Sequence, residues 1–571
     1  MPPIVTPRPR VRPRPRPPRP RVRPPRRRAG GILIAALAAV ACCGCGATPA
    51  PPAVSRASQV LTILQDQPHV LADPVAALDL LRSLGVSDVR ISVGWTSLAP
   101  DPVSRTPPRR FRAGLPSSYP TAEWAPYDAV IQDATARGMG VYLMLTGPAP
   151  LWATRPAPKG SATHNPGVYE PSPTQFGAFV RAVGTRYDGH FTPIGATAPL
   201  PAVRFWSIWD EPNYGYQLAP QAIGGVEVAP RLYRGLLDAA WSALHATGHG
   251  GDTILIGETA PRGANVPGVA NGMVPLRFLD ALYCVNSSYH ELRGAAAAAR
   301  GCPVSAAASQ AFRADNPALF DASGFAAHLY TAGQVAQPNI PSPASEPGWV
   351  GLADLPRLED ELDRLTASYG SSTQFPIYNT EFGFQTNPPP SNCACVFLSP
   401  GAAARYLNWA EYIEWSNPRV RSDAQYLLYD APSGSPAHPT ESSFSSGLLF
   451  ATGAPKPGYA AFLLPVFLPV TSTRPGHSLE VWGVVRPAAY ARKDTGRVPP
   501  VEIQYRASSG RAWTTLRTVA VTGVAGDFEV PVRFPGTGSV RLRWTYPAGY
   551  AFLPAGTARA VTSRVQAITV R

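Results

Sequence analysis

From about residue 57 the chain alternates short apolar runs with amphipathic segments. Residues 60–64 read as a strand, and residues 73–84 as a helix with Asp73 at its N-cap, Pro74 in the first turn and Gly85 at its end. The same alternation gives strands at 89–93, 141–145, 204–209, 253–256, 324–330, 376–380 and 425–429. Helices are expected at 127–137, 172–187, 229–246, 273–284, 355–368, 400–415 and 457–464. Eight strands, each followed by a helix, fit an α/β fold of the (β/α)8 TIM-barrel kind. After residue 467 the period changes from helical to two, with strands at 479–485, 501–505, 513–516, 527–533, 539–544 and 565–570 and no helix between them. That pattern predicts a small antiparallel β-sandwich of the immunoglobulin-like kind. The expected division is a leader over 1–56, a barrel over 57–466 and the sandwich over 467–571, in the accessory role its lack of an acid/base cluster suggests.

Composition changes the picture at the N-terminus only. The net charge of +14 suggests nucleic acid, but residues 1–28 hold eleven Arg and no acid, and removing those from +14 leaves +3. The remainder has no basic stripe, so nucleic acid is set aside. The Pro/Arg tract cannot build a core and is expected to be disordered. The uncharged apolar run over 29–43 is short for a membrane span and suits a secretory signal, followed by a Pro/Ala linker over 47–53. The tetrapeptide ending at Cys42 resembles a bacterial lipoprotein processing site, so the expected address is secreted or cell-surface, with Cys42 as the residue a lipid anchor would use. Of seven Cys, Cys284 and Cys302 are the favoured disulfide pair. Cys393 and Cys395 are too close for an ordinary zinc site and lack a nearby His, so no metal and no cofactor is expected, and the chain is expected to be monomeric.

Two strands end on carboxylates. Residues 204–213 run Arg-Phe-Trp-Ser-Ile-Trp-Asp-Glu-Pro-Asn, and Pro212 forbids the ladder to continue past Asp210 and Glu211. Residues 375–383, Phe-Pro-Ile-Tyr-Asn-Thr-Glu-Phe-Gly, run apolar into Glu381. In such barrels chemistry sits at the carboxyl ends of the strands, where Arg90, Trp95, Trp152, Glu258, His328, Tyr330 and Tyr429 also fall or lie close by. Two carboxylates facing one sugar, about 5 Å apart, are the apparatus of retaining glycoside hydrolysis.

Trp-Asp-Glu-Pro-Asn at 209–213 resembles the strand-4 motif of the glycoside hydrolase clan A barrels, and Asn-Thr-Glu-Phe-Gly at 379–383 resembles the strand-7 motif of the same clan. The segment 85–91 with Trp95, His328-Leu-Tyr330, and 447–459 are similar to other parts of that barrel. The resemblance covers roughly 57–465 and leaves cellulase-like and β-xylosidase-like families both open. It implies a carbohydrate substrate, with Glu211 as acid/base and Glu381 as nucleophile. It also implies substrate binding by Arg90, Trp95, Trp152, Asp210, His328, Tyr330 and Tyr429. Each has a plainer reading: Arg90 as an ordinary ion pair, His328 and Tyr330 as packed core, Glu258 as a structural hydrogen bond, the aromatics as rim filling. Asp210 stands where the clan usually has Asn, and an ionised Asp can only accept a hydrogen bond. A catalytically inactive carbohydrate-binding barrel is the competing reading.

Overall fold

The computed structural model describes residues 60–159, 165–391, 395–434 and 442–571. The expected leader, its signal run, Cys42 and Cys393 lie outside the described residues. Eight strands are β1 (Leu61–Gln65), β2 (Asp88–Gly94), β3 (Gly140–Thr146), β4 (Phe205–Ile208), β5 (Thr253–Thr259), β6 (Gly324–Ala327), β7 (Ile377–Asn379) and β8 (Val420–Tyr426). They close in sequence order, β8 pairing back onto β1, and every pairing is parallel. The closed (β/α)8 barrel that the periodicity predicts is therefore present. Strand β3 is buried along nearly its whole length, as a parallel strand covered on both faces must be.

The helices start and stop where their caps dictate. In α1 (Pro74–Ser83) the Asp73 carboxylate accepts from the Ala76 N–H at 3.1 Å, satisfying an orphan donor of the first turn. Helix α2 (Thr121–Arg137) ends on Gly138 in the left-handed conformation, and α3 (Pro173–Arg186) begins on Ser172 with Pro at its first position. Helices α4 (Ala229–Ala246), α5 (Pro275–Leu282), α6 (Leu355–Ala367), α7 (Pro400–Ser416) and α8 (Pro457–Leu463) complete the outer ring. The favoured disulfide, Cys284–Cys302, is formed just after α5.

Two strand expectations need correction. The sixth strand stops at Ala327, so His328 and Tyr330 lie beyond its end. The eighth occupies Val420–Tyr426 and not 425–429. The apolar Leu427-Leu428 pair pulled the expectation toward the C-terminus, whereas the true strand buries polar groups. Ser422 Oγ donates to the Asn379 carbonyl at 2.7 Å, and Gln425 Nε2 donates to the carbonyls of Leu427 and Ser446 at 3.0 and 2.8 Å.

Beyond the barrel, β9 (Val466–Phe467), β11 (Ser478–Val484) and β14 (Asp527–Arg533) form an antiparallel sheet. A second sheet runs β10 (Ser472–Thr473), β17 (Gln566–Val570), β15 (Gly538–Thr545), β12 (Val501–Ala507), β13 (Thr514–Val519), with β16 (Ala560–Thr562) also on β15. The sandwich is antiparallel except where β10 joins β17 in parallel. One helix, α9 (Ala488–Thr495), interrupts it, against expectation; Pro487 at its start and left-handed Gly496 at its end mark it out.

Barrel and sandwich belong to one compact unit, Pro51–Arg571, joined at the amino-terminal end of the strands. Arg486 enters this floor. Its guanidinium pairs with Glu411 at 2.8 Å and Asp423 at 3.0 Å, and donates to Thr62 Oγ1 and the Phe462 carbonyl, each at 2.5 Å. From the barrel side Arg82 meets Asp494 of α9 at 2.7 Å and lies over the Tyr490 and Tyr550 rings. Gly85, at φ +81°, fits so closely that a Cβ there would come within 2.3 Å of the Arg486 carbonyl carbon.

Candidate active site

The carboxyl ends of β4 and β5 leave ordinary strand geometry just where the acids sit. Trp209, Glu211 and Glu258 all have positive φ, at 69°, 38° and 49°. Each costs about 1 kcal/mol or more, strain that persists only where the surroundings hold it. They do: the Trp209 N–H donates to the Leu145 carbonyl at 2.7 Å, and the Glu211 N–H donates to the Glu258 carbonyl at 2.9 Å. The β5–β6 register shifts at Glu258, a bulge that re-aims this side chain. Asn213 ties the loops after β4 and β5 together, accepting from the Ala260 N–H at 2.8 Å and donating to the carbonyls of Ala260 and Met273 at 3.1 and 3.0 Å.

Arg90, fully buried on β2, is the hub. It donates to Glu381 Oε2 at 3.0 Å, to Glu258 Oε2 at 3.1 Å and to the Gln65 side-chain oxygen, and it lies 3.8 Å from Asp210. The Tyr330 hydroxyl donates to the other Glu381 oxygen at 3.0 Å. His328 bridges two acids, with Nδ1 3.0 Å from Glu211 Oε1 and Nε2 2.9 Å from Glu258 Oε2. Glu258 is fully buried and takes further hydrogen bonds from Thr380 Oγ1 at 2.7 Å and from the Tyr142 hydroxyl.

Burial and charge move these groups in consistent directions. Burial alone would raise Glu258, but the Arg90 charge and the His328 contact hold it far below the usual carboxylate range. Burial opposes charge on His328, yet the carboxylates of Glu381, Glu211 and Glu258 outweigh it and raise the imidazole well above its ordinary value. Asp210 goes the other way: burial, followed by the nearby Glu211 and Glu381 charges against relief from His328 and Arg90, pushes it up to about 7. Its Oδ2 accepts from Gln217 Nε2 at 2.9 Å, while Oδ1 is buried without a hydrogen-bond partner.

Glu211 and Glu381 both line one cavity of about 260 Å³, with Tyr214, Arg262, Tyr330, Phe384 and Phe444 among its walls. Six of the nine expected site residues therefore meet: Glu211, Glu381 and Tyr330 on the cavity, with Arg90, Asp210 and His328 in the network behind it. The other three belong neither to the cavity wall nor to the network behind it. Trp95 is fully buried against Phe176, Phe179 and Trp152, so it has no face to offer a ligand. Trp152 donates to the Pro100 carbonyl at 3.1 Å and packs on Phe111. Tyr429 lies against His69, ring centroids 4.3 Å apart. The plainer reading of Glu258 as a structural hydrogen-bonding group describes its position well. Gln65, Tyr142 and Arg262 join the site without any sequence signal, because each is ordinary until the barrel closes, and Thr380 joins from within the 379–383 motif.

One oxygen each from Asp210 and Glu381 and one His328 nitrogen lie within 4.8 Å of one another, the spacing of a metal triad. Here Arg90 stands beside both carboxylates and supplies the positive charge a cation would bring.

No protein-family model matches the chain, and no curated protein matches it. Solved structures do. A family 39 glycoside hydrolase from Bacteroides cellulosilyticus WH2 is 12% identical at TM-score 0.42, over 83% of this chain and 81% of that one. A glucosidase from Croceicoccus marinus is 15% identical at TM-score 0.43, over 91% and 95%. β-Glucuronidase 2 of Bacteroides uniformis is 11% identical at TM-score 0.39, over 90% of this chain but 46% of that one, so the chain spans under half of that enzyme's length. The solved structures to which this barrel is similar include these glycoside hydrolases.

Proposed function

We propose that the chain is a retaining glycoside hydrolase that cleaves β-O-glycosidic bonds of a poly- or oligosaccharide by double displacement. One observation carries this reading: the carboxylates of Glu211 and Glu381 border the same cavity, and each is held by a different set of donors. Both Glu381 oxygens accept hydrogen bonds, from a guanidinium and a phenol, which fixes the group for attack on an anomeric carbon. Glu211 has a single side-chain hydrogen-bond partner among the described residues, His328, which leaves its second oxygen for a leaving group in the cavity and suits the acid/base. Glu381 attacks the anomeric carbon as the glycosidic C–O bond breaks, and the leaving oxygen takes the Glu211 proton. Water then attacks the glycosyl ester, Glu211 takes its proton, and the C–O bond to Glu381 breaks, restoring both groups.

Turnover of a panel of aryl β-glycosides by wild type and Glu381→Ala tests the reading, with NMR reporting the anomer first released. Retention and a peptide trapped by a 2-deoxy-2-fluoro glycoside at Glu381 are expected. Equal rates in the two proteins would leave a binding barrel only. We further propose, from the apolar run over 29–43, that the protein is secreted or held at the cell surface, and fractionation of cells making wild type or Cys42→Ser tests whether a lipid holds it at the membrane.

A further inference from the structure

Positive charge at the mouth is almost all spent internally. Arg90 is matched by Glu381 and Glu258, and His328 by Glu211 and Glu258. Arg262, on the loop after β5, is different. It lines the cavity, yet it makes no ion pair with any carboxylate among the described residues. Its Nη2 donates to the Thr331 carbonyl at 2.5 Å and its guanidinium carbon lies 5.6 Å from the Trp349 ring centroid, while Nε is buried with no hydrogen-bond partner. Burial lowers it from its ordinary value, the direction for a cation that folding has dehydrated without an anion to meet it, with the Tyr214 hydroxyl giving some relief. Nη1 has no hydrogen-bond partner among the described residues and, unlike Nε, is not sealed off by burial, so it is the N–H left on the cavity wall for a planar or tetrahedral anion, bound through a charge-assisted hydrogen bond.

The position of Arg262 says which part of a substrate would carry that anion. Arg262 follows β5, which pairs with β4 and is separated from β7 by β6, and its carbonyl accepts at 3.5 Å from Nδ2 of Asn213, two residues after Glu211, so Arg262 stands on the Glu211 side of the space. If Glu211 protonates the leaving oxygen, that side receives the leaving group. We propose that Arg262 recognises a carboxylate or sulfate on the leaving-group portion of the substrate, so that the chain acts on an acidic glycan or glycoconjugate. This rests on the glycosidase reading.

The test compares aryl glycosides that differ only in leaving-group charge. With the glycone that a neutral aryl panel shows to be turned over, kcat/KM is measured for 4-carboxyphenyl and 4-carbamoylphenyl glycosides. Wild type should prefer the carboxylate by about tenfold, the scale of one charge-assisted contact. The preference should fall to about one in Arg262→Gln, persist in part in Arg262→Lys, and shrink as salt is raised. If Arg262→Gln does not fold, the wild-type ratio and Arg262→Lys decide. A wild-type ratio near one overturns the inference while leaving the glycosidase reading intact. If no glycoside is turned over, the glycosidase reading fails, and titration with 4-hydroxybenzoate against 4-hydroxybenzamide decides separately. About tenfold tighter binding of the acid, lost in Arg262→Gln, upholds an anion site, and equal binding overturns it.

Discussion

The two ends of this barrel hold nearly the same set of charges and put them to different uses. At the mouth a buried Arg90 meets Glu258 and Glu381, with Asp210 nearby; at the floor a buried Arg486 meets Glu411 and Asp423. At the floor the Arg486 donors end on groups of the protein itself, and Glu411 and Asp423 border a cavity of only about 20 Å³. At the mouth Glu381 borders open space. A buried Arg with its acids is thus not in itself a sign of chemistry. What sets the mouth cluster apart is a carboxylate that is held by donors and also faces a cavity of about 260 Å³, against about 20 Å³ beside the acids of the floor.

Replacing Glu381 with Gln should separate the two ends most strongly. A loss of roughly 10⁴-fold or more in kcat is expected, the scale for a covalent nucleophile. Arg486→Met should leave kcat of the folded protein unchanged, and comparable losses in both variants would end the contrast. The same Arg486→Met should lower unfolding free energy by about 3–5 kcal/mol, because the Asp423 carboxylate would remain buried without its cation, as denaturant melts would show.

Glu258→Gln probes how far the mouth depends on a residue that does not line the cavity. With its charge gone, Arg90 and His328 lose a shared anchor, and kcat should fall on the order of 10²-fold through misplacement of Glu381 and Glu211. A merely structural role would not also move the His328 titration to lower pH, which ring NMR can follow.

The smallest effects concern pH. Asp210 is raised from 3.8 to about 7, and Glu411, mainly by burial, from 4.5 to about 8. In each case the folded state keeps a proton the unfolded chain would release. That contribution favours folding at low pH and is lost as pH climbs from the ordinary value through the folded one. Asp210→Asn and Glu411→Gln should therefore each gain melting temperature relative to wild type between about pH 4 and pH 8. Only Asp210→Asn should also change the pH profile of turnover. An altered activity profile in Glu411→Gln would mean that floor and mouth are coupled.

Much of this was legible in the chain, for reasons that show where legibility stops. Strands such as β3 are apolar because both faces are covered, so period and caps reveal them. Glu211 and Glu381 stand out because each ends such a run, the first directly before Pro212 and the second two residues before Gly383. Strand β8 was misplaced because Ser422, Asp423 and Gln425 are buried polar groups, satisfied by partners far away in sequence. Trp95 was misread because an aromatic near a strand end looks the same whether it faces a ligand or Phe179. The network of Gln65, Tyr142, Glu258 and Thr380 draws on four different strands or their ends, and adjacency of that kind exists only after closure.

The Cys284–Cys302 link carries a practical consequence. It staples a stretch of 18 residues on the path from α5 toward the strand that precedes His328. A crosslink of that span restricts the unfolded chain by about 3 kcal/mol in a loop-entropy account. Protein produced in a reducing cytosol, or stored with thiol reagents, should melt earlier. Kinetic comparisons between preparations will be sound only once their free-thiol content has been measured.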